Sequence, residues 1–573
     1  MSRAGSGGFM NDLTFQGGLN GVAFGNQQFT VRNLSFSNCV TAINQIWDWG
    51  WTYKSITINN CTTGVSMGNG GHDAQTVGSV TFLDSSISNT KVGFSTNHDA
   101  TSQPPAGGSL IIENVQLNNV PVAVQGPNQS TALAGTTGQS TIAAWGQGHS
   151  YTPNGPTNFE GPITPNNRPG SLLQGNKYYE RSKPQYEQNV VSDFVSVRSA
   201  GALGDGNTDD TKALDKAVKD ATKRGKIVYF DAGIYKVTKT LRIPAGARIV
   251  GETYPVIMSS GKYFSDINDP KPVVQIGEEG DSGSIEWSDM IVGTQGAQAG
   301  AILIEFNLAA GGTPSGLWDV HTRIGGFAGS NLQLADCPTT PTVPTPPAPV
   351  KSSCIAAFMS MHITQGASGV YMENNWLWTA DHDIEDPNDT QITIYAGRGL
   401  YIESEAGNIW LVGTAVEHHT FYQYQLANTR NLFMGQIQTE TAYYQPNPNA
   451  ATPFPVVKAY NDPDFVASCQ GKTPNCLLGW GLRVINSQSV LVYGAGLYSF
   501  FNNYSTTCSN QGNGEACQLR IFSVEGYGSN NVNVYNLNTI GTTEMIDRDG
   551  VALARYSDNL DGFVDTIALF RSN

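Results

Sequence analysis

Short strand-like segments recur along the first part of the chain at a nearly constant interval. The segments DLTF, NLSF, SITI and SVTF begin their apolar runs at Leu13, Leu34, Ile56 and Val80, which lie 21, 22 and 24 residues apart. Each segment alternates apolar and polar residues and leads into Asn, Ser or Gly, which is typical of a half-buried strand before a turn. A repeat near 22 residues fits one coil of a parallel β-helix, whose coils stack at about 4.8 Å. The interval therefore predicts a parallel β-helix.

A second series of strands begins near residue 194. Thr208–Asp210 offers side chains that can cap a helix, and Gly225 is placed to end it. Four apolar residues between them fall on one helical face: Leu214, Ala217, Val218 and Ala221. The strand-like segments IVYF, IYKV, LRIP and RIVG follow, with Gly and Pro between them. A helix ahead of successive short strands predicts a cap over the open end of a second solenoid.

The segment between the two series has no strand pattern. It is rich in Gly, Pro, Asn, Ser and Thr, and its stretch SLLQGNKYYERSKPQYE carries aromatic residues that indicate a segment lying on a protein surface. We therefore expect a first β-helix at residues 1–124, a linker at 125–193 and a second β-helix at 194–573. The composition agrees, because 14% charged residues and 64 glycines favour an all-β protein with many turns.

The net charge limits the partners that such a protein can bind. A formal charge of −15 repels nucleic acids and polyanionic sugars such as pectate, so a neutral polymer is the better partner. No run of 18 or more apolar residues occurs, which predicts no membrane span. The sequence contains no zinc-ligand spacing, no Gly-rich phosphate loop, no Gly-x-Ser-x-Gly elbow and no EF-hand loop. We expect no metal, no cofactor, no nucleic-acid or membrane partner, and a monomer.

The cysteines indicate an oxidising compartment. Six of the eight fall in close pairs that can close short loops as disulfides: Cys337 and Cys354, Cys469 and Cys476, Cys508 and Cys517. Five Asn-x-Ser/Thr sequons are typical of a secreted glycoprotein. The first residues contain no signal peptide, so we expect an extracellular protein whose true start lies upstream. Cys39 and Cys61 lie 22 residues apart in adjacent coils, where they form either a disulfide or two stacked thiols.

Several stretches resemble known families. Two stretches resemble the opening unit of the pectate-lyase-like β-helix superfamily: FVSVRSAGALGDGNTDDTKALDKAV and GKIVYFDAGIYKVTKTLRIPAGARIVGE. Four further stretches together resemble glycoside hydrolase family 55, which comprises largely fungal β-1,3-glucanases with two tandem right-handed parallel β-helices. These stretches are NNWLWTADHDIED, NIWLVGTAVEHHTFYQYQL, MGQIQTETAYYQ and RSKPQYE. This resemblance covers nearly the whole chain. Family members usually carry a GxxGDGxTDDT-like cap unit in both halves, whereas it occurs once here, at Gly201–Thr211. The resemblance thus implies a first β-helix that is N-terminally truncated.

Two glutamates fall at the same position of consecutive coils. Asn408–Leu411 matches Asn431–Met434 with an offset of 23, which places Glu417 opposite Glu440. Such neighbours raise the pKa of one carboxyl, and glycoside hydrolysis needs one protonated and one ionised carboxyl. An acidic pair on a solvated ladder is the alternative interpretation. The resemblance implies that Glu440 is the general acid, that Glu417 positions or activates the water, and that the reaction inverts the anomeric centre.

Polar and aromatic residues around this pair are candidates for sugar binding. The predicted substrate-binding residues are Tyr443, Tyr444, His418, Gln438, Asp381, Asp383, Trp47, Trp49 and Gln27. Trp47, Trp49 and Trp51 are spaced by two, which predicts three rings on one side of a strand, either as a stacking platform or as packing between the two β-helices. Gln27 and Gln28 offer amides that could hold a water molecule.

Together, the residues and the resemblance predict hydrolysis of β-1,3-glucan from the chain end, with inversion and release of glucose. A pectin-type lyase shares the fold, but TADHD, VEHHT and QTETAYY contain no Lys or Arg to bind uronate. A non-catalytic glycan-binding β-helix explains the solenoid but not the two matched glutamates. A degenerate enzyme inactivated by truncation is the third alternative.

Overall fold

Coils of short parallel strands make up most of the molecule. The computed structural model describes residues 7–340, 349–510, 516–560 and 563–572. Residues 1–6 of the predicted first β-helix and residues 341–348 of the loop between Cys337 and Cys354 lie outside them. The predicted all-β fold of two tandem right-handed parallel β-helices is confirmed.

The first β-helix has two strand faces. One face consists of Gly8–Gln16, Gln28–Ser37, Gly50–Lys54 with Thr57–Asn59, Ser79–Ser88 and the first half of Ser109–Gln125. The other consists of Asn20–Gly25, Thr41–Trp47, Thr63–Ser66, Val92–Ser95 and the second half of Ser109–Gln125. Asn38 and Asn60 turn the chain between the faces with φ of 62° and 54°, a region that Asn enters more readily than most residues. The Asn60 amide donates to Asn38 Oδ1 at 2.8 Å, so the turns are bonded to each other as well as the strands.

The coils of the first β-helix differ in length. The first repeats are 21 and 22 residues, as predicted. Val80, however, pairs with Trp51, 29 residues earlier, rather than with Ile56. The connection at residues 67–78 takes up the extra residues. The alignment of Val80 with Ile56 is therefore wrong, because a longer turn leaves the stacking of the strands intact while it changes the sequence interval.

Residues 125–193 contain more regular structure than the sequence predicts. Thr131–Tyr151 pairs antiparallel with Ser109–Gln125, and Thr157–Pro162 pairs antiparallel with Thr131–Tyr151. The end of Thr131–Tyr151 also pairs in parallel with Ile567–Arg571. These strands have few apolar residues because much of their surface is exposed. They join the last coil of the first β-helix to the C-terminal strand of the second.

The rest of this segment lies along the second β-helix, and Leu173–Gln174 and Lys177–Tyr178 form a small antiparallel pair within it. Its backbone carbonyls accept hydrogen bonds from two buried indoles: Trp410 donates to Leu172 at 3.1 Å, and Trp318 donates to Arg181 at 3.0 Å. The aromatic and basic residues of this stretch therefore serve attachment.

The second β-helix has three strand faces. The first comprises Phe194–Ser196, Ile227–Phe230, Arg248–Gly251, Ser368–Glu373, Gly407–Val412 and Arg430–Met434, with the first parts of Glu286–Thr294, Ser315–Ile324, Gln488–Tyr498 and Asn530–Ile540. The second comprises Asp205–Asp209, Ile234–Val237, Val256–Ser259, Trp376–Thr379, Thr414–Glu417 and Ile437–Glu440, with the later parts of the same four long strands. The third comprises Leu241–Ile243, Lys271–Ile276, Ala301–Phe306, Ile355–Ile363, Tyr395–Ile402, Tyr422–Ala427, Trp480–Ile485, Phe522–Glu525 and Thr542–Arg548, and Gln518–Arg520 and Val551–Arg555 pair with the last of these.

A helix at Thr211–Lys223 covers the start of this solenoid, and a second short helix spans Phe465–Ser468. The buried residues of the first helix are the four predicted ones: Leu214, Ala217, Val218 and Ala221. Gly225 follows with φ 63°, as the predicted stop requires. Neither helix, nor any other in the described parts of the chain, is long and apolar enough to cross a membrane.

Three large apolar clusters stabilise the molecule, beside a small one formed by Val256, Met258 and Phe327. Two of them fill the interiors of the two β-helices. The third lies between the β-helices and the segment that joins them, and includes Leu83, Ile111, Tyr178, Phe433 and Tyr493. Because burial of apolar surface is the main stabilising term, this third cluster fixes the position of one solenoid against the other.

The predicted disulfides Cys337–Cys354, Cys469–Cys476 and Cys508–Cys517 are present. Cys39 and Cys61 are buried free thiols, which decides the alternative left open by their spacing.

Candidate active site

A row of side chains in register marks the second face of the second β-helix. Glu417 pairs with Glu440 across adjacent coils, as the offset of 23 predicts. Trp378 precedes this pair by one coil and Tyr498 follows it by one. Equal positions on stacked parallel strands point the same way, so these four side chains form one ladder along the helix axis.

Glu417 is the buried member of the pair. Its side chain is almost inaccessible, with 4% of the residue exposed, and its Oε2 accepts from the indole N–H of Trp376 at 2.8 Å. Burial, and then the negative charge of Glu440, raise the pKa of Glu417 to about 8. Burial and the neighbouring carboxylate therefore favour the protonated form of Glu417.

Glu440 is the accessible member of the pair. Its side chain is 20% exposed, and its two oxygens are approached by His418 Nε2 and Gln438 Nε2, each at 3.4 Å. Gln438 is 1% exposed, and its Oε1 has no hydrogen-bond partner among the described residues. A polar atom left unpaired beside a reactive carboxyl can bind a substrate hydroxyl or a water molecule.

His418 lies between two carboxylates. Its Nδ1 is 2.9 Å from the carbonyl of Thr379 and 3.9 Å from Asp381, and its Nε2 faces Glu440. Burial lowers the pKa of His418, but the charge of Asp381, the hydrogen bond to Glu440 and the charges of Glu440 and Glu417 outweigh it and raise the pKa to about 9. His418 is thus an imidazolium at pH 7. Its neighbour His419 is different, because burial lowers the pKa of His419 to about 3.

The two predicted aspartates have different surroundings. Asp381 has a side chain that is 18% exposed and contacts His382 at 2.8 Å. Burial opposes its ionisation, but His418 and His382 lower the pKa of Asp381 below its usual range. Asp383, in contrast, is 4% exposed and accepts from the backbone N–H groups of Leu334 and Glu385. Its carboxylate holds a loop, and the binding of substrate by Asp383 stays a prediction.

Tyr443 and Tyr444 are buried, with 0% exposure. The Tyr443 hydroxyl donates to the carbonyl of Ala380 at 2.8 Å, and the Tyr444 hydroxyl bonds to Thr420 at 2.7 Å. The expectation that these rings contact sugars stays a prediction. They support the loop that carries Asp381 and the turn that carries His418, since the Tyr443 ring also lies 5.2 Å from the His418 ring.

The three tryptophans do not share one strand face. The strand Thr41–Trp47 ends at Trp47, which lies beside Gly25 of the preceding coil. Trp51 belongs to the next strand and points into the core of the first β-helix, with 1% exposure. The predicted row of rings is wrong, because the chain bends between the two strands. Trp49 lies at the junction of the two β-helices, with its ring 5.6 Å from that of Tyr498 and 4.7 Å from that of Phe563.

The first β-helix closes one end of the ladder. Tyr498, the next residue in register after Glu440, is 1% exposed, and its hydroxyl donates to Gln28 Oε1 at 3.3 Å. Gln28 Nε2 has no partner among the described residues, whereas the backbone carbonyl of Gln27 accepts from Trp49. Gln28 therefore points an amide toward the site, and a role for Gln27 stays a prediction. At the other end of the ladder Trp376 is 40% exposed, so the site is open on that side.

Two residues of the site, Trp376 and Tyr498, were not predicted from the sequence. Trp376 pairs with Ala415, two residues before Glu417, so the strand register would have placed it beside the carboxyl pair. Tyr498 could be found only by extending the register past a long insertion between consecutive coils. No group of three or more His, Cys, Asp or Glu that could hold a metal occurs within the residues that the structure describes.

Comparisons with known proteins identify several relatives of the chain. A family model described as rhamnogalacturonase A/epimerase, pectate lyase-like, matches residues 1–66 and 194–273. The chain is 48% identical to a glucan 1,3-beta-glucosidase of Cochliobolus carbonum, with 98% of this chain and 70% of that protein covered. It is 40% identical to a probable glucan endo-1,3-beta-glucosidase of Arthroderma benhamiae, with coverage of 99% and 74%. The solved structure of sacteLam55A from Streptomyces sp. SirexAA-E is 14% identical, with a TM-score of 0.40 and coverage of 91% and 76%. From its identity to the two fungal proteins over nearly its full length, the chain belongs to glycoside hydrolase family 55.

Proposed function

We propose that this protein hydrolyses β-1,3-glucan from the chain end, with inversion of the anomeric centre and release of glucose. The observation that carries the proposal is the pair Glu417 and Glu440, matched in register where the first β-helix closes one end of the site. The names of both fungal relatives refer to β-1,3-glucan, and the family resemblance implies inversion.

Glu440 is our candidate for the proton donor, because it is the member of the pair that a glycosidic oxygen can reach. Glu417, whose raised pKa favours its protonated form, lies one coil away at about 4.8 Å along the axis. After each turnover it can pass its proton to Glu440 and be reprotonated by the proton that Asp381 has taken from the water. The water-activating role that the resemblance implies for Glu417 fits poorly, since a buried and protonated carboxyl is not a base at neutral pH. We therefore assign Glu417 to proton storage.

Asp381 is our candidate for the base that takes a proton from the water. It is accessible, and its lowered pKa keeps it ionised at pH 7. The imidazolium of His418 lies between Asp381 and Glu440. An inverting hydrolase needs its acid and its base farther apart than a retaining one, because a water molecule must fit between the sugar and the base. The unpaired amide atoms of Gln28 and Gln438 are suited to orient that water.

Hydrolysis from the chain end is supported by the shape of the site. The ladder is closed beyond Glu440 by Tyr498 and the first β-helix, and it is open at Trp376. A chain can enter such a site only by its end, whereas internal cleavage requires a cleft that is open on both sides.

We further propose that the protein is an extracellular monomer whose domains are residues 1–124 and 194–573. Three disulfides suit an oxidising compartment, and each β-helix has an apolar core of its own.

The test is product analysis on linear β-1,3-glucan, with Glu440→Gln prepared in parallel so that contaminating glucanase is detected. We expect glucose as the product throughout the time course. Oligosaccharides of mixed length as products would contradict hydrolysis from the chain end. Cleavage of polygalacturonate with β-1,3-glucan left intact would contradict the substrate class.

A further inference from the structure

Five asparagines stand in Asn-x-Ser/Thr sequons, the sequence that receives N-linked glycans. They are Asn33, Asn60, Asn128, Asn388 and Asn503. A glycan is bulky and hydrophilic, so a folded chain can carry one only where the Asn side chain reaches solvent. The side-chain amide must also be free of contacts that the fold needs. These two requirements divide the five asparagines into different groups.

Asn128 meets both requirements. It is exposed in the turn at residues 126–130, which joins the last coil of the first β-helix to the antiparallel strand that follows it. The backbone N–H of Gly126 donates to the carbonyl of Ser130 at 2.9 Å and closes the turn. The Asn128 side chain makes no hydrogen bond to any residue that the structure describes. A sugar on Asn128 Nδ2 therefore displaces no contact of the fold.

Asn388 meets them as well. It is exposed in the loop that connects the strands Trp376–Thr379 and Tyr395–Ile402 of the second β-helix. Asp386 closes a turn around it, because its carboxylate accepts the backbone N–H of Thr390 at 3.0 Å. The Asn388 amide has no hydrogen-bond partner in the described parts of the chain. This turn is also held together without the Asn side chain.

The amides of Asn33 and Asn60 are bonded between coils. Asn60 Nδ2 donates to Asn38 Oδ1 at 2.8 Å, and Asn33 Nδ2 donates to Asp12 Oδ1 at 2.7 Å. Adjacent coils lie about 4.8 Å apart, so a sugar on either nitrogen must fit beside the neighbouring turn. Asp12 also accepts from Ser182 of the segment that joins the two β-helices, at 3.0 Å, which leaves less room at Asn33.

Asn503 is half-buried, and both ends of its amide are used. Its Nδ2 donates to Asn502 Oδ1 at 3.1 Å, and its Oδ1 accepts from the Asn447 amide. Asn447 lies in the loop that follows Glu440, so this contact joins two loops of the second β-helix. A sugar on Asn503 Nδ2 competes with it.

We propose that the folded protein carries N-linked glycans at Asn128 and Asn388 and at none of the other three sequons. In the transfer, the Asn Nδ2 loses one proton and forms a bond to C1 of the first sugar. The bond from C1 to the diphosphate of a lipid-linked oligosaccharide donor breaks, and the diphosphate leaves. This inference rests on the extracellular location in the proposed function, because the donor belongs to the secretory route.

The test is peptide mass spectrometry of the full chain, secreted in folded form by a glycosylating yeast behind an added signal peptide. Enzymatic release of the glycans in heavy-oxygen water converts each glycosylated Asn into a labelled Asp. We expect the label at Asn128 and Asn388 alone. On a denaturing gel, Asn128→Gln and Asn388→Gln should each remove the mass of one glycan. Asn503→Gln is the matched control and should leave the mass unchanged.

The outcomes separate this inference from the proposed function. Label at any of the other three sequons, or its absence from Asn128 or Asn388, would overturn the assignment. If both glycans are present but the protein does not cleave β-1,3-glucan, the proposed activity fails and the assignment stands. If the yeast product carries both glycans while the protein from its natural source carries none, the extracellular location is wrong and the inference fails with it.

Discussion

The two β-helices use the same repeated position on their facing surfaces for opposite purposes. In the first, Thr30, Thr52 and Thr81 stack in register, each 1% exposed. These short side chains allow close approach, and two of them bond directly to the second β-helix. Thr52 donates to the carbonyl of Tyr493, and Thr81 accepts from the Asn536 amide at 2.8 Å. This face is a packing surface.

In the second β-helix the stacked position carries large and titratable side chains: Trp378, Glu417, Glu440 and Tyr498. Burial and the charge of the neighbouring Glu440 raise the pKa of Glu417 in this ladder. Both solenoids stack parallel strands in register, on two faces in the first and on three in the second. The choice of side chain at one repeated position therefore decides whether a face packs or reacts.

The largest effect should follow from removing the exposed acid of the reactive ladder. Glu440→Gln keeps the shape but donates no proton, so we expect kcat on β-1,3-glucan to fall by about 10²–10⁴-fold with little change in affinity. The loss should be much smaller on a dinitrophenyl β-glucoside, whose leaving group needs no proton. Equal losses on the two substrates would assign Glu440 another role.

The second effect concerns the accessible carboxylate beside the ladder. Asp381→Asn should lower kcat by about 10²-fold on both substrates, because the water must lose its proton whichever group leaves. Asp383→Asn is the control, since Asp383 bonds to the backbone of Leu334 and should affect stability more than rate. Should Asp381→Asn stay active while Glu417→Gln is impaired on both substrates, Glu417 is the base.

The third effect tests the packing surface. Gly413 has φ 65°, and a Cβ there would lie 2.6 Å from the Phe9 ring and 2.9 Å from Thr30 Oγ1. Gly413→Ala should therefore cost about 2–5 kcal/mol from backbone strain and overpacking together. Gly296 has the same φ with no atom near its Cβ, so Gly296→Ala should show the strain alone. Thermal melting of the two variants compares them, and equal melting temperatures would mean that the solenoids are not tightly packed at Gly413.

The smallest effect concerns the hydrogen bond that Trp376 makes to Glu417. Burial and the charge of Glu440 raise the pKa of Glu417 to about 8, and the Trp376 N–H opposes this rise because it favours the ionised form. Trp376→Phe removes the donor, so Glu417 should keep its proton to a higher pH. We expect the alkaline limb of the kcat profile to move upward by about 0.5–1 unit. An alkaline limb that moves to lower pH would show that Glu417 does not store the proton that is passed to Glu440.

The sequence predicted the parts of the site that depend on local register. The matching turns at Asn408 and Asn431 were enough to pair Glu417 with Glu440, since each lies at a fixed number of residues from its turn. The cap helix and the disulfide loops were likewise predictable, because their residues are close in sequence.

Features that depend on the packing of distant segments were not predictable in the same way. Tyr443 and Tyr444 follow a strand end, and the sequence did not indicate that the chain then turns inward. Trp51 was placed on the wrong side because the spacing does not reveal the break between two strands. The approach of Gln28 to Tyr498 depends on how one solenoid packs against the other.

The stereochemistry of the released sugar tests the central claim most directly. Proton NMR during the first minutes of hydrolysis of linear β-1,3-glucan distinguishes the two anomers of glucose before they equilibrate. A single displacement by water on a β-linkage predicts that α-glucose appears first and that β-glucose grows only by mutarotation. If β-glucose appears first, Glu440 and its neighbours act through a covalent intermediate, and the division of roles between Glu440, Glu417 and Asp381 is wrong.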